Sequence, residues 1–244
     1  MTTIRTSDDV TLHVTDEGQG KPVVLVAGFT APATSWAPQA TALLAAGHRV
    51  VAVDRRSHGL SQGPDFGHRM ARHGKDLDDV LTGIGLRDVV LVGGSMGASA
   101  VWAYCDLFGT DRIRGMVSVD QTPKMVNGDG WEHGFRGLTH TNSGTFFDAG
   151  IPVGPVVAPY PPDLAPLLRD HAQQDWRDVV ARMASPVLMV AGRDSEFWPS
   201  EHAAAAVAAN PLGRSAVLEE CGHAANLEQP QAFNRLLLEF IADL

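Results

Sequence analysis

Residues 89 to 100 read Val-Val-Leu-Val-Gly-Gly-Ser-Met-Gly-Ala-Ser-Ala, and this run leaves the chain little choice of architecture. An apolar, β-branched segment is cut off by Gly-x-Ser-x-Gly and followed by small residues that a helix tolerates. That is the pattern of a serine held on a tight turn between a strand and a helix. Such a turn strains the serine backbone, so the residues two positions away must be small, and Gly93 and Gly97 are. A helix opening near Met96 aims its free N–H groups at the serine, where a developing oxyanion would be stabilised. A lone serine hydroxyl is a poor nucleophile, so a base, an acid and a second oxyanion donor must be sought elsewhere.

The surrounding chain supplies the elements that such a turn needs. Val23–Ala27 is a continuous apolar run, as expected of a strand buried on both faces, and Arg49–Val53, Val89–Val92, Ile113–Val119 and Pro186–Ala191 read as further strands. Val10–Val14 alternates apolar and polar residues, and Ala216–Leu218 is a short strand. Between them, helices are expected from Ser35 to Gly47, over His68–Leu81, after Ser95, over Trp176–Met183 and over Ser200–Ala209. A last helix runs from Pro230 to Leu244, with Phe233, Leu236, Leu237, Phe240 and Ile241 on one face. Strands alternating with helices predict an α/β fold with a mostly parallel sheet and helices on both faces. Functional residues then gather at the carboxyl ends of the strands.

The pattern loosens from Gln121 to about Asp170, a stretch rich in glycine, proline and aromatic residues. A structureless loop of that length does not suit a compact domain. The expectation is therefore a core of residues 1–120 and 176–244, with residues 121–175 inserted as a small cap of short helices.

Composition narrows the function. The 244 residues are 44% hydrophobic and carry a formal charge of −9, which argues against nucleic acid or an anionic membrane as partner. Met1 to Asp9 has no apolar signal core, and no apolar run reaches ~18 residues, so a cytoplasmic protein is expected. Cys105 and Cys221 make no disulfide framework. There is no His-Glu-x-x-His, Cys-x-x-Cys or Gly-x-Gly-x-x-Gly, so neither a metal nor any other cofactor is expected. His133 and His140, seven residues apart, suit a cap surface better than a shared ligand site.

Among ten histidines, His223 stands out. It follows a strand and a glycine and precedes the final helix, which puts it on a loop at the same sheet edge as Ser95. The acid that orients it is expected to be Asp194, at the carboxyl end of the strand Val187–Ala191. The order Ser95, Asp194, His223 then matches the Ser…Asp…His order of α/β-hydrolases. Asp120, at the end of the strand after the Ser95 helix, is the rival. The backbone N–H groups of Met96 and Phe29 are the candidate oxyanion donors, and Gly28 permits close approach to substrate.

Taken together, the chain from about residue 10 onward resembles the α/β-hydrolase superfamily, in its compact serine-hydrolase (esterase/haloperoxidase-like) branch with a short cap. The resemblance rests on Gly93-Gly94-Ser95-Met96-Gly97, on Val24 to Phe29 as oxyanion strand and loop, and on Asp54-Arg55-Arg56-Ser57-His58-Gly59-Leu60-Ser61. Gly192-Arg193-Asp194 is similar to the acid loop, and Gly222-His223 with Glu228 and Pro230 to the histidine loop. One departure is Ala27-Gly28, where the family often has His-Gly. The resemblance implies acyl transfer to water on a small to medium apolar ester, a small-molecule partner. Trp131, Phe135, Phe197 and Trp198 are candidate pocket residues, and the oligomeric state is left open. Lactonase, cofactor-free haloperoxidase or perhydrolase and carbon–carbon bond hydrolase are alternatives that use the same triad. A ligand-binding member without turnover is a further one.

Overall fold

Period-two alternation along the buried strands decides how the layers form. The structure is a computed structural model that describes residues 2–244. Its main sheet contains β1 (Thr2–Arg5), β2 (Thr11–Glu17), β3 (Pro22–Val26), β4 (Arg49–Val53), β5 (Val89–Gly94), β6 (Ile113–Val119), β9 (Val187–Gly192) and β10 (Gly213–Leu218). They lie in the order β1-β2-β4-β3-β5-β6-β9-β10. The pairs β1/β2 and β2/β4 are antiparallel, and every other pair is parallel. Val24, Val26, Val51, Val53 and Leu91 face one core; Val23, Leu25, Val50, Ala52, Val90 and Val92 face the other. Successive side chains point to opposite faces of a strand, so runs with no polar residue bury both.

Helices cover both faces. α2 (Met70–Gly83), α3 (Met96–Phe108), α5 (Arg177–Arg182) and α6 (His202–Val207) contribute to the first core. α1 (Ala37–Ala45) and α8 (Pro230–Ala242) contribute Leu43, Phe233, Leu237, Phe240 and Ile241 to the second. Burying each such side chain contributes roughly 1.5–3 kcal/mol. Leu236, expected on the buried face of α8, is only half-buried. A short helix α7 (Ala225–Glu228) and the edge strand β1 form where no apolar periodicity announces them. Among the described residues, no helix is long and apolar enough to cross a membrane.

Between β6 and α5 the chain leaves the sheet. The expected set of short helices is not what forms there. The stretch holds one hairpin, β7 (Ile151–Val153) with β8 (Val156–Ala158), a single 3-10 turn and one helix, α4 (Ala165–Ala172), joined by turns. Gly154, at φ 56°, opens the two-residue hairpin turn with Pro155, a position that favours glycine. Where the stretch begins and ends it is laced together: Lys124 and Asp175 form an isolated bridge, and the Trp176 N–H donates to the Pro123 carbonyl at 2.9 Å.

Candidate active site

Ser95 sits between β5 and α3 at φ 50°, ψ −131°. That is the strained left-handed region, which a side-chain-bearing residue adopts only where its surroundings impose it. Here they do. A side chain on Gly97 would run into the carbonyl oxygens of Val26 and Ala27, and one on Gly93 into the backbone of Ala98. The Ser95 N–H donates to the Val119 carbonyl at 2.9 Å, and the Ser95 carbonyl accepts from the Ala98 N–H at 2.8 Å. Gly28 packs directly on the serine, since a Cβ there would lie 3.1 Å from Ser95 Cβ.

His223 lies on the loop between β10 and α7. Glu228 reaches back to accept from the N–H groups of Gly222 (2.8 Å) and Ala224 (3.0 Å), and Glu196 accepts from the His223 N–H at 3.2 Å. The imidazole packs on the Phe197 ring, centroids 4.4 Å apart, and near Trp198 at 5.3 Å.

The acid expected beside it was Asp194, and the structure places another carboxylate there. Asp194 is exposed, and its backbone N–H donates to the Cys221 carbonyl at 2.9 Å. Asp120 is fully buried, and its Oδ2 lies 2.7 Å from His223 Nδ1. It also accepts from Ser195 Oγ at 2.7 Å and from the Gly192 N–H at 3.0 Å, while His202 Nε2 stands 3.5 Å away. The physical reason is local. Asp120 follows β6 immediately, at φ 43°, and turns in over the neighbouring strand end. Asp194 comes two residues after β9 has ended and faces solvent. Burial pushes the Asp120 carboxyl up in pKa, but the hydrogen bonds and charges of His202 and His223 outweigh it and bring it down to about 2. An ionised carboxylate only accepts, so His223 carries its proton on Nδ1 and leaves Nε2 as the basic nitrogen.

Ser95 and His223 line one cavity of about 260 Å³, together with Phe29 and Met96. Phe135, Phe197 and Trp198 also line it. Trp131 does not: it is buried elsewhere, with its indole N–H donating to Thr122 Oγ1 at 3.1 Å. Ring packing fixed its place, with Arg177 over its face. Tyr160, one of the aromatics of the inserted stretch, lines the cavity too, and lining residues that the sequence pattern did not single out include Ile151, Val153, Leu168 and His171. Ile151 and Val153 come from the hairpin and Leu168 and His171 from α4, whose signal lay in the apolar triplets around Gly154-Pro155 and in Leu167-Leu168.

Other polar groups stand apart from this chemistry. His140 pairs with Asp129 at 2.8 Å on the surface, and His133 packs against Trp131. Burial pushes the thiols of Cys105 and Cys221 up to about 12 and about 11, which removes them as nucleophiles at neutral pH.

Comparisons with known proteins place the fold in a family. The chain belongs to the Alpha/beta hydrolase family, whose profile matches residues 23–236. A non-heme chloroperoxidase from Streptomyces lividans is 29% identical, the match covering 99% of both chains. The non-heme chloroperoxidase CPO-A1 of Kitasatospora aureofaciens is 38% identical over 121 residues, 50% of this chain and 44% of that one. In that match the chain spans less than half the length of the curated relative. A crystal structure of a bromoperoxidase from Bacillus anthracis superposes with a TM-score of 0.87 at 25% identity, covering 99% of each chain.

Proposed function

We propose that this α/β-hydrolase cleaves small to medium apolar carboxylic esters through an acyl-enzyme on Ser95. The observation that carries the reading is the 2.7 Å contact between His223 Nδ1 and Asp120 Oδ2, on the same cavity as a serine in a strained turn. Ser95 Oγ attacks the ester carbonyl, and His223 Nε2 takes its proton. Asp120 holds the imidazole in the required tautomer and stabilises the imidazolium. The N–H groups of Met96 and Phe29 receive the oxyanion. The proton passes to the departing alkoxide, and a water activated by His223 then attacks the acyl carbon and releases the acid. A cavity of about 260 Å³ falls below the ~300–1,000 Å³ of drug-sized pockets, which favours a short acyl or aryl group.

A second reading is favoured by the full-length similarity to a chloroperoxidase. With hydrogen peroxide in place of water in the second step, the same acyl-enzyme yields a peracid, which oxidises halide without a cofactor. Both readings need Ser95. The test is turnover of p-nitrophenyl esters of graded chain length, with labelling by a fluorophosphonate, in the wild type and Ser95→Ala. The variant is expected to lose both turnover and label; label or turnover that persists refutes the assignment. Halogenation that depends on acetate and peroxide, outrunning ester hydrolysis, would favour the second reading.

A further inference from the structure

We propose that Arg55 is a positioning residue for the oxyanion hole, its guanidinium gripping the carbonyls of Ala27 and Gly28 so that the Phe29 N–H faces Ser95. The inference rests on the acyl-transfer reading above and deepens it.

The loop that carries Phe29 begins where β3 ends, and no ladder holds its backbone. Ala27 has no side-chain group with which to orient it. Arg55 supplies the grip. Nε donates to the Ala27 carbonyl at 2.9 Å, and Nη2 to the Gly28 carbonyl at 2.7 Å. A peptide group is planar and trans, so its C=O and following N–H point in opposite directions. Fixing the Gly28 carbonyl toward Arg55 therefore fixes the Phe29 N–H away from it. Gly28 packs against Ser95, and Phe29 lines the same cavity as Ser95, which puts this peptide group beside the nucleophile.

The environment of Arg55 is otherwise an odd place for a cation. The side chain is buried, and its remaining contacts are His73 Nδ1 at 3.2 Å and His58 Nε2 at 3.0 Å. Its neighbour Arg56 takes the Asp76 carboxylate instead. Burial, only partly offset by the charge of Asp76, lowers the Arg55 pKa to about 9. Burial and Arg55 in turn bring His58 down to about 3 and His73 well below its usual range, so both rings are neutral. His58 Nδ1 donates to the Arg56 carbonyl at 2.8 Å, which leaves the Nε2 lone pair for Arg55. Two neutral imidazoles and two carbonyls thus hold a guanidinium whose rigid fork addresses consecutive peptide groups. A lysine, with one point of attachment, cannot reproduce that.

The test compares wild type, Arg55→Met, Arg55→Lys and Ser95→Ala on p-nitrophenyl butyrate, with thermal melts of each. Losing an oxyanion donor outright costs about 100- to 1,000-fold in kcat. A donor left free to turn is expected to cost about 10- to 100-fold in Arg55→Met, with KM within about 2-fold and partial rescue by added guanidinium ion. Arg55→Lys should lie between Arg55→Met and wild type. A purely structural role would lower the melting temperature and leave kcat of the folded fraction unchanged, and that result overturns the proposal. So does a loss confined to KM. If Arg55→Met does not fold, Arg55→Lys decides alone, and wild-type kcat in it refutes the inference. Turnover surviving in Ser95→Ala would sink the acyl-enzyme reading itself, whereas a dead Ser95→Ala beside fully active Arg55 variants sinks only the positioning role.

Discussion

Replacing Asp120 by asparagine separates the two candidate acids with a change of a single atom type. In the wild type, Oδ2 accepts from both His223 Nδ1 and Ser195 Oγ, and Oδ1 accepts from the Gly192 N–H. An amide cannot serve all three. With its oxygen toward His223, its NH2 group opposes the Gly192 N–H, donor against donor in a site without solvent access. Turned over, the NH2 group meets His223 Nδ1, which must then give up its proton and carry it on Nε2. That tautomer cannot take the proton of Ser95. Loss of the orienting acid in such triads costs about 10,000-fold in kcat. The expected fall for Asp120→Asn is about 1,000- to 10,000-fold, a barrier increase of about 4–5.5 kcal/mol. Asp194→Asn changes an exposed side chain and should leave kcat within about 2-fold. The assay is steady-state hydrolysis of p-nitrophenyl butyrate by both variants, with circular dichroism melts to confirm folding. A collapse in Asp194→Asn alongside an active Asp120→Asn would refute the reasoning.

Asp120 also makes a statement about stability. Its pKa falls from 3.8 to about 2 on folding, so its contribution is fully present above the unfolded value and lost as pH drops through the folded one. That contribution is on the order of 2 kcal/mol, and urea titrations between about pH 4 and pH 2 should show a shallower loss in Asp120→Asn than in wild type. At the elbow, Gly97→Ala sets a methyl group against two fixed carbonyl oxygens and should destabilise by about 3 kcal/mol or more, read as a lower urea midpoint. An unchanged midpoint would mean the turn can relax. Arg56 is fully buried against Asp76 and Asp8, so Arg56→Met should cost about 3–5 kcal/mol. Breaking the exposed pair Arg5–Asp9 should cost no more than about 1 kcal/mol. In the cavity wall, Ile151→Ala makes room for a longer acyl chain. It should raise the kcat/KM of the octanoate ester relative to butyrate by about 10-fold, and no change in that ratio would remove the hairpin from the binding surface.

What could be read in the sequence, and what could not, follows from the range of the forces involved. The strands from Val23, Arg49, Val89 and Val187 were legible because burial on both faces writes itself as a run of apolar residues, broken only by Arg49 at the start of one, and that from Ile113 because apolar residues dominate it in spite of Arg114 and Ser118. Ser95 was legible because its strain demands glycines at fixed offsets, and His223 because a short strand and a glycine precede it. The acid was not, because Asp120 and Asp194 both close parallel strands on the same edge. What separates them is which backbone turns inward, settled by contacts with Gly192, Ser195 and His223 that lie 72 to 103 residues away in the chain. The cavity wall was obscured for a different reason: Gly154-Pro155 and the prolines around Tyr160 hide a hairpin whose strands are only three residues long. Arg55 was hidden inside the quoted loop motif, since no local rule tells a surface arginine from one that reaches back to grip Ala27 and Gly28. Asp120 and Arg55 alike are polar groups whose partners lie tens of residues away in the chain. Local pattern fixes where the candidate nucleophile stands, whereas the carboxylate beside His223 and the loop after β3 depend on tertiary contacts that the sequence does not spell out.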